Sequence, residues 1–431
     1  MVFINMSKFN KAVSLLHSVV NANNPGVFSI PNNTNLYFSI RGRKHIRVGV
    51  QSHYYEGFNM YYDIEYTSYG EHPYSYIMDF AEVHRLCKFY MKNRKQTKSD
   101  TCAFNFDFNG VCVVKSLRND GDGFVDGVCG GVDTQLRCEK TTDTDFDNVF
   151  NIKDEYKDIF ITGAELFDHL SALQFSCAGN RVQNGLKITG SSDDYKVEME
   201  SYCSCGIYNT LFENRLVKDD FEFTIYRGVF HAMKKMNKTE LVKNVDIKFG
   251  KNYLLIKSAR YRMNIPFVHL QTEFHVNIGN DISRINNIHK NQFEHITNVK
   301  PKYSKLFGVG NKHKEHKSIV NFKQEDGYLH ITLFDDRYDE NGNERDKHGN
   351  PVLNGKKGKF VIFSKCYGKL DGYDVCVNYS HDIFNALMSR FGKRDNIHIS
   401  FKELTGQTIL VIDNDCSNDY ITKTFLLMPL R

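Results

Sequence analysis

The chain has 431 residues, too many for one small domain and suited to roughly two to four compact ones. Hydrophobic residues make up 41% and charged residues 25%, a soluble balance, and no apolar run approaches the roughly 20 residues that span a bilayer. A net charge of +5 is mild for a protein that grips nucleic acid through many phosphates, so any such contact is expected to be local.

The first residues, MVFINMSKFNK, lack the basic start, apolar stretch and small-residue cleavage site of a signal peptide, so a cytoplasmic protein is expected. The eleven cysteines are an odd number scattered along the chain, the pattern of reduced thiols and not of a disulfide framework. Cys203 and Cys205 form a lone C-x-C with no second pair, which is poor zinc spacing. Neither a metal nor a cofactor is expected.

One pattern recurs six times: a short amphipathic helix followed by strands that alternate apolar and polar residues. The first helix is expected over Lys8 to Val20, capped by Ser7, with Phe9, Ala12, Val13, Leu16 and Val20 as its stripe. The second starts at Asp79, with Glu82 three residues on, and turns Phe80, Val83, Leu86, Cys87 and Tyr90 inward. The third opens on the capping box Thr162 to Glu165 and carries Leu166, Phe167, Leu170 and Leu173. The fourth covers Gly228 to Asn237, with Val229, Phe230, Met233 and Met236 inward. The fifth spans Asp281 to Thr297 on Ile282, Ile285, Ile288 and Phe293. The sixth follows Ser380 as N-cap and uses Ile383, Phe384, Leu387 and Phe391.

Between these helices lie strand-like runs such as Leu36 to Ile40, Phe221 to Ile225 and Gln407 to Ile412. Two helices per unit with strands between them divide the chain into segments 1–155, 156–280 and 281–431. Residues 116–150, rich in Gly and Asp, and the charged stretch Asp335 to Lys359 are expected to be exposed loops or a hairpin. Asp339, Asn341 and Asn343 alternate as in a calcium loop, but Glu344 stands where that loop needs glycine, so a solvated loop is the better reading.

The last residues are the most specific. Phe425-Leu426-Leu427-Met428-Pro429-Leu430-Arg431 resembles the closing strand of the bacterial β sliding clamps, the polymerase III β subunits, whose chains end near Met-Pro-hydrophobic-Arg. Tyr373 to Ser380 followed by Ile383-Phe384-Asn385-Ala386-Leu387 is similar to that family's strand-to-helix passage. Leu173 to Ser176 and Asn184-Gly185-Leu186 resemble its second-domain helix and turn, and the first segment matches in layout. The resemblance implies an α+β fold of three tandem DNA-clamp domains, each with two inner helices packed on outer antiparallel β-sheet. Two such chains would form a ring around double-stranded DNA, a non-catalytic processivity factor that tethers the replicative polymerase, the clamp loader and other clients.

Such a ring needs weak, sequence-independent contact with DNA, and several helix faces offer it. Arg85, Lys88 and Lys92 share one face, and His231, Lys234 and Lys238 another, with Lys235 beside them. Lys8, Lys11, Arg284, Arg390, Lys393 and Arg394 complete the expected DNA-lining set. Singly, a lysine-rich helix face is ordinary solvation; with the resemblance, the group reads as a lining. The third helix departs from it, since Glu165, Asp168 and His169 make its polar face acidic or neutral.

The resemblance also implies a client-peptide pocket built from the tail and the second domain: Tyr202, Cys205, Leu426, Met428, Pro429, Leu430 and Arg431. One wall departs from the family, with Glu200-Ser201-Tyr202-Cys203-Ser204-Cys205 in place of a Thr-Asp-Gly-His-Arg-Leu-like turn. The plain alternative is a tail strand that completes a core. Ile288 and Phe293 are the candidates for the seam of the homodimeric ring. Two rival readings stand beside the clamp. One is a clamp-like adaptor or decoy that binds clients without encircling DNA. The other is an enzyme with a Cys nucleophile near His, although no G-x-S-x-G, phosphate loop, H-E-x-x-H or paired zinc motif is present.

Overall fold

A computed structural model of the chain describes all residues except 21–29, 32, 42–44, 54–55, 69–73, 98–99, 108, 120–123, 127–132, 160–184, 204–205, 214–216, 227–228, 230–231, 233–244, 269–280, 298–317, 347, 373, 390, 392–394, 405, 415–420 and 431. The third expected helix and most of the fourth fall on these residues. Contacts divide the chain into two compact units, Met1–Asp168 with Ile225–Val268, and His169–Thr224 with His269–Arg431. The division follows shared sheets, because strands of the segment 156–280 extend a sheet in each unit.

In the first unit the sheet path runs Val2–Asn5, Thr101–Phe106, Val111–Asn119, Asp133–Thr141, Ser75–Asp79, Asn35–Arg41, His45–Gln51 and Asn59–Ser68. It closes on itself, since Val2–Asn5 also pairs with Asn59–Ser68. The other end of Asn59–Ser68 pairs with Tyr261–Pro266, which carries the sheet on to Tyr253–Lys257, Asp246–Phe249 and Lys157–Asp158.

Two helices pack on this sheet. Helix α1 is Met6–Val20, and Asn5 caps it by accepting the amide of Lys8 at 3.0 Å, so the cap lies two residues before the expected Ser7. All five residues of its expected stripe are fully buried. Helix α2 is Phe80–Thr97, capped by Asp79 accepting from the amide of Glu82 at 2.8 Å, with Phe80, Val83, Leu86, Cys87 and Tyr90 inside. Burial of such side chains stabilises the layer by roughly 1.5–3 kcal/mol each. The helices meet through His17 and His84, whose rings stack at 4.4 Å.

Helix α3, Asp143–Phe150, lies inside the stretch expected to be loop. A capping box starts it, Thr142 bonding Asp145 in both directions, and Phe146 and Phe150 at i and i+4 pack on Tyr61. Gly49 makes room for this helix: a Cβ there would stand 2.5 Å from Cζ of Phe150.

The second unit holds two sheets. The larger runs Phe221–Tyr226, Gly185–Ser191, Lys196–Cys203, Gly206–Glu213, Ile421–Leu427, Gln407–Asn414, Asn396–Leu404, Asp281–His289 and Asp371–Gly372. The smaller runs Val361–Lys369, Tyr328–Asp335, Ser318–Glu325 and Cys376–Ser380. Phe322 sets its ring edge-on against Tyr379, Phe384 and Phe401, so one aromatic cluster joins the two sheets to helix α5, His381–Met388. Ser380 occupies the N-cap position of α5 without a side-chain cap bond.

The fifth expected helix is corrected. Asp281–His289 is a strand, followed by a 3-10 turn, Lys290–Phe293, and helix α4, the single turn Glu294–Thr297. Ile285 pairs with Ile399 and Ile288 with Ile397, so Asn286 and Asn287 together stand opposite the single residue His398. This bulge makes a strand mimic the i, i+3 spacing of a helix.

The stretch Asp335 to Lys359 is an ordered arm of consecutive turns. Asp339 accepts the backbone and side-chain amides of Asn343, and Asp346 accepts the backbone amides of His348 and Asn350. Bridges Tyr338–Glu344, Arg345–Pro351 and Asn343–Lys357 tie the turns together.

Candidate functional site

Two surfaces gather the candidate residues. The first is the outward side of α1 and α2. Lys8 and Lys11 on α1 and Arg85, Lys88 and Lys92 on α2 are all exposed. Their places follow from the buried stripes: with one face of each helix committed to the core, spacings of three and four return cations to the other. Lys8 is partly neutralised, its ammonium lying 2.6 Å from Glu65 with both side chains more than half exposed. The same pair holds the Glu65 carboxyl below its usual range. Phe89, 55% exposed, sits among the α2 cations.

The remaining cations divide. Lys234, Lys235 and Lys238, with His231, lie outside the described residues, as do Arg390, Lys393 and Arg394; Val229 and Ala232 beside the first group are helical and buried. Arg284 stands on the strand Asp281–His289, opposite Ser400, and not on a helix as expected.

The second surface is built around the carboxyl end. In the strand Ile421–Leu427, Phe425 and Leu427 are buried, and Phe425 meets the ring of Phe391 edge-on. Leu426 packs instead with Ile409 and Val411, and half-buried Met428 lies against that cluster. The register sets Tyr202 opposite Ile207, Ile207 opposite Leu426, and Leu426 opposite Val411. One row of the sheet therefore carries residues from the second segment to the tail. Past the strand, Met428, Pro429 and Leu430 are half-buried, and the amide of Leu430 donates to the carbonyl of Asn378 at 2.8 Å. A chain end is ordinarily frayed; here the sheet and this bond fix it. Cys205 and Arg431 lie outside the described residues.

Ile409 and Val411, buried with Leu426 beneath Met428, were not singled out by sequence. The signal was present in Ile409-Leu410-Val411-Ile412, where all four residues are buried and the strand therefore has two covered faces.

Ile288 lies on the bulged strand. Phe293 has no exposed surface in the single chain; its ring stacks on Tyr367 at 5.0 Å and meets Phe384 edge-on. It packs the core, and the seam expectation for it is corrected: a side chain with nothing exposed offers nothing to a second copy.

Burial pushes the thiols of Cys87, Cys102, Cys112 and Cys138 up, to about 12 for Cys102 and about 11 for Cys138. At neutral pH these four are protonated and poor nucleophiles. Cys366 and Cys376 are exposed. Among the described residues no helix is long and apolar enough to cross a membrane.

No protein-family model and no curated protein matches the chain. Solved structures do. A putative DNA polymerase III beta subunit from Eubacterium rectale superposes over 100% of this chain and 99% of its own, with a TM-score of 0.68 at 10% identity. The DNA polymerase III subunit beta from Pseudomonas aeruginosa gives 0.64 at 12% identity, covering 100% of both chains. That from Borrelia burgdorferi, solved in complex with a natural product, gives 0.65 at 12%, over 100% of this chain and 99% of its own. At these identities the likeness is one of fold: the chain has the α+β sliding-clamp fold from end to end.

Proposed function

We propose that the chain is a sliding clamp, a non-catalytic DNA polymerase processivity factor of the cytoplasm that encircles double-stranded DNA as a homodimeric ring. The observation that carries this reading is the full-length match to polymerase III β subunits. In this reading the chain comprises clamp domains 1–155, 156–280 and 281–431, and the first domain of one copy meets the third of the other.

The basic faces then have a physical task. A clamp must be attracted to phosphate without being fixed to any base, which dispersed Lys and Arg achieve at a cost in salt sensitivity. Lys8, Lys11, Arg85, Lys88 and Lys92 suit this role by exposure. Lys234, Lys235, Lys238, Arg284, Arg390, Lys393 and Arg394 join them by sequence position.

The tail surface takes client peptides. Leu426, Met428, Pro429 and Leu430, with Tyr202, Cys205 and Arg431, form its walls in this reading, and flexible Met428 suits a site with several ligands. Two or three apolar anchors at roughly 1.5–3 kcal/mol each, less the cost of ordering the peptide, give a micromolar affinity of about −8 kcal/mol. Such binding lets polymerase, loader and other clients exchange.

Retention on DNA tests the reading. After loading, the protein stays on covalently closed circles and leaves when the circle is linearised. Equal retention on both forms rejects encirclement, and client binding without retention on either identifies an adaptor.

A further inference from the structure

Helix α2 sorts its side chains by chemistry except at Phe89 and Met91. Phe80, Val83, Leu86, Cys87 and Tyr90 are buried, while Arg85, Lys88 and Lys92 are exposed. Phe89 belongs by chemistry with the first group and by position with the second, being 55% exposed. On the helix it lies between Arg85, four residues before it, and Lys92, three residues after it, with Lys88 beside it. Met91, 36% exposed, comes two residues later and therefore faces another way.

These neighbours decide what Phe89 suits. A protein partner would be expected to meet an aromatic anchor inside an apolar patch, because interface cores are depleted of charge. Phe89 has cations above and below it instead. Single-stranded nucleic acid fits such a surrounding: its phosphates meet the cations, and an unstacked base offers a π face to the phenyl group. Duplex DNA fits less well, since its base faces are covered by stacking and a wedge must first unstack a step. We infer that Phe89 stacks on unpaired bases, so that α2 distinguishes single-stranded from duplex DNA. The inference rests on α2 facing DNA, as in the clamp reading, and adds a contact with bases to the contacts with phosphate.

The two kinds of contact act at different places. Along duplex the phenyl group finds no open base face, the cations alone hold the protein, and sliding continues. At a gap or a primer end it gains a stack, and residence there lengthens. A single exposed phenylalanine is also common on protein surfaces without any task. Such an incidental side chain would make no difference between the two forms of DNA.

Fluorescence anisotropy on the full chain separates these cases. The probes are a fluorescein-labelled oligothymidylate and a labelled duplex of the same length, both at low salt. The wild type is expected to bind the single strand, and Phe89→Ala to bind it about fivefold more weakly or worse. Duplex affinity of this variant should stay within about twofold, because the three cations remain. Its melting temperature should match the wild type, since the side chain is mostly exposed. Phe89→Tyr, which keeps a stacking group, should bind both probes as the wild type does. Unchanged single-strand binding in Phe89→Ala, or equal loss for both probes, overturns the inference and leaves the clamp reading in place. Single-strand binding that needs Phe89, in a protein retained equally on circular and linear DNA, supports the stacking and removes the ring. A wild type that binds neither probe overturns the stacking.

Discussion

Asn264 donates its side-chain amide to Oδ1 of Asn59 at 2.6 Å, and both residues are almost fully buried. The same amide donates to the carbonyl of Phe150 at 2.8 Å, while the Asn59 amide donates to the carbonyl of Val149 at 2.9 Å. Arg262 adds a bond to the carbonyl of Ile152 at 3.0 Å. The end of α3, whose last carbonyls have no partners within the helix, is thus held by two neighbouring strands.

Removing one member leaves its partners buried and unsatisfied. Asn264→Leu is therefore expected to lower stability by about 1–3 kcal/mol, read as a shift in the urea midpoint. Unchanged stability would mean that water serves these carbonyls equally well.

The other end of α3 predicts a pH effect. Hydrogen bonds from Thr142 and Thr141 hold the Asp145 carboxyl below its ordinary value. A depressed folded-state pKa stabilises the fold above the unfolded value, and that contribution is lost as pH falls through the folded one. Thr142→Ala should cost about 1 kcal/mol near neutrality. Its deficit relative to wild type should shrink in acid, as followed by thermal melts across pH.

Charge reversal on α2 tests the DNA face. Lys88→Glu with Lys92→Glu should leave the melting temperature nearly unchanged, because both side chains are exposed. Retention on closed circular DNA should fall and its salt dependence flatten. Wild-type retention in this variant removes α2 from the lining.

Truncation of Met428 to Arg431 deletes one wall of the tail surface and the bond from Leu430 to Asn378. A client peptide is expected to bind about tenfold more weakly or worse, measured by fluorescence polarisation. Met428→Leu, which keeps the apolar volume, should bind nearly as wild type. Full binding by the truncated protein assigns the tail to core packing alone.

Where local pattern and tertiary environment agree, the sequence is readable. Helices α1 and α2 present single apolar stripes to one core, and every stripe residue is buried. Helix α3 was hidden by composition: its capping box uses Asp145 in place of the usual Glu, and its eight residues carry only Phe146, Val149 and Phe150 as an apolar face. The strand Asp281–His289 misled for a different reason, since a bulge shifts its period from two to three between Ile285 and Ile288. Leu426 was singled out by resemblance, whereas Ile409 and Val411, which pack with it, were not, because a strand buried on both faces has no alternation to mark either one.

Encirclement is the central claim, and electron microscopy of the purified protein tests it most directly. Negative-stain class averages should contain a closed ring with a central hole wide enough for duplex DNA. Compact particles without a hole, at concentrations where the protein is fully associated, would contradict it.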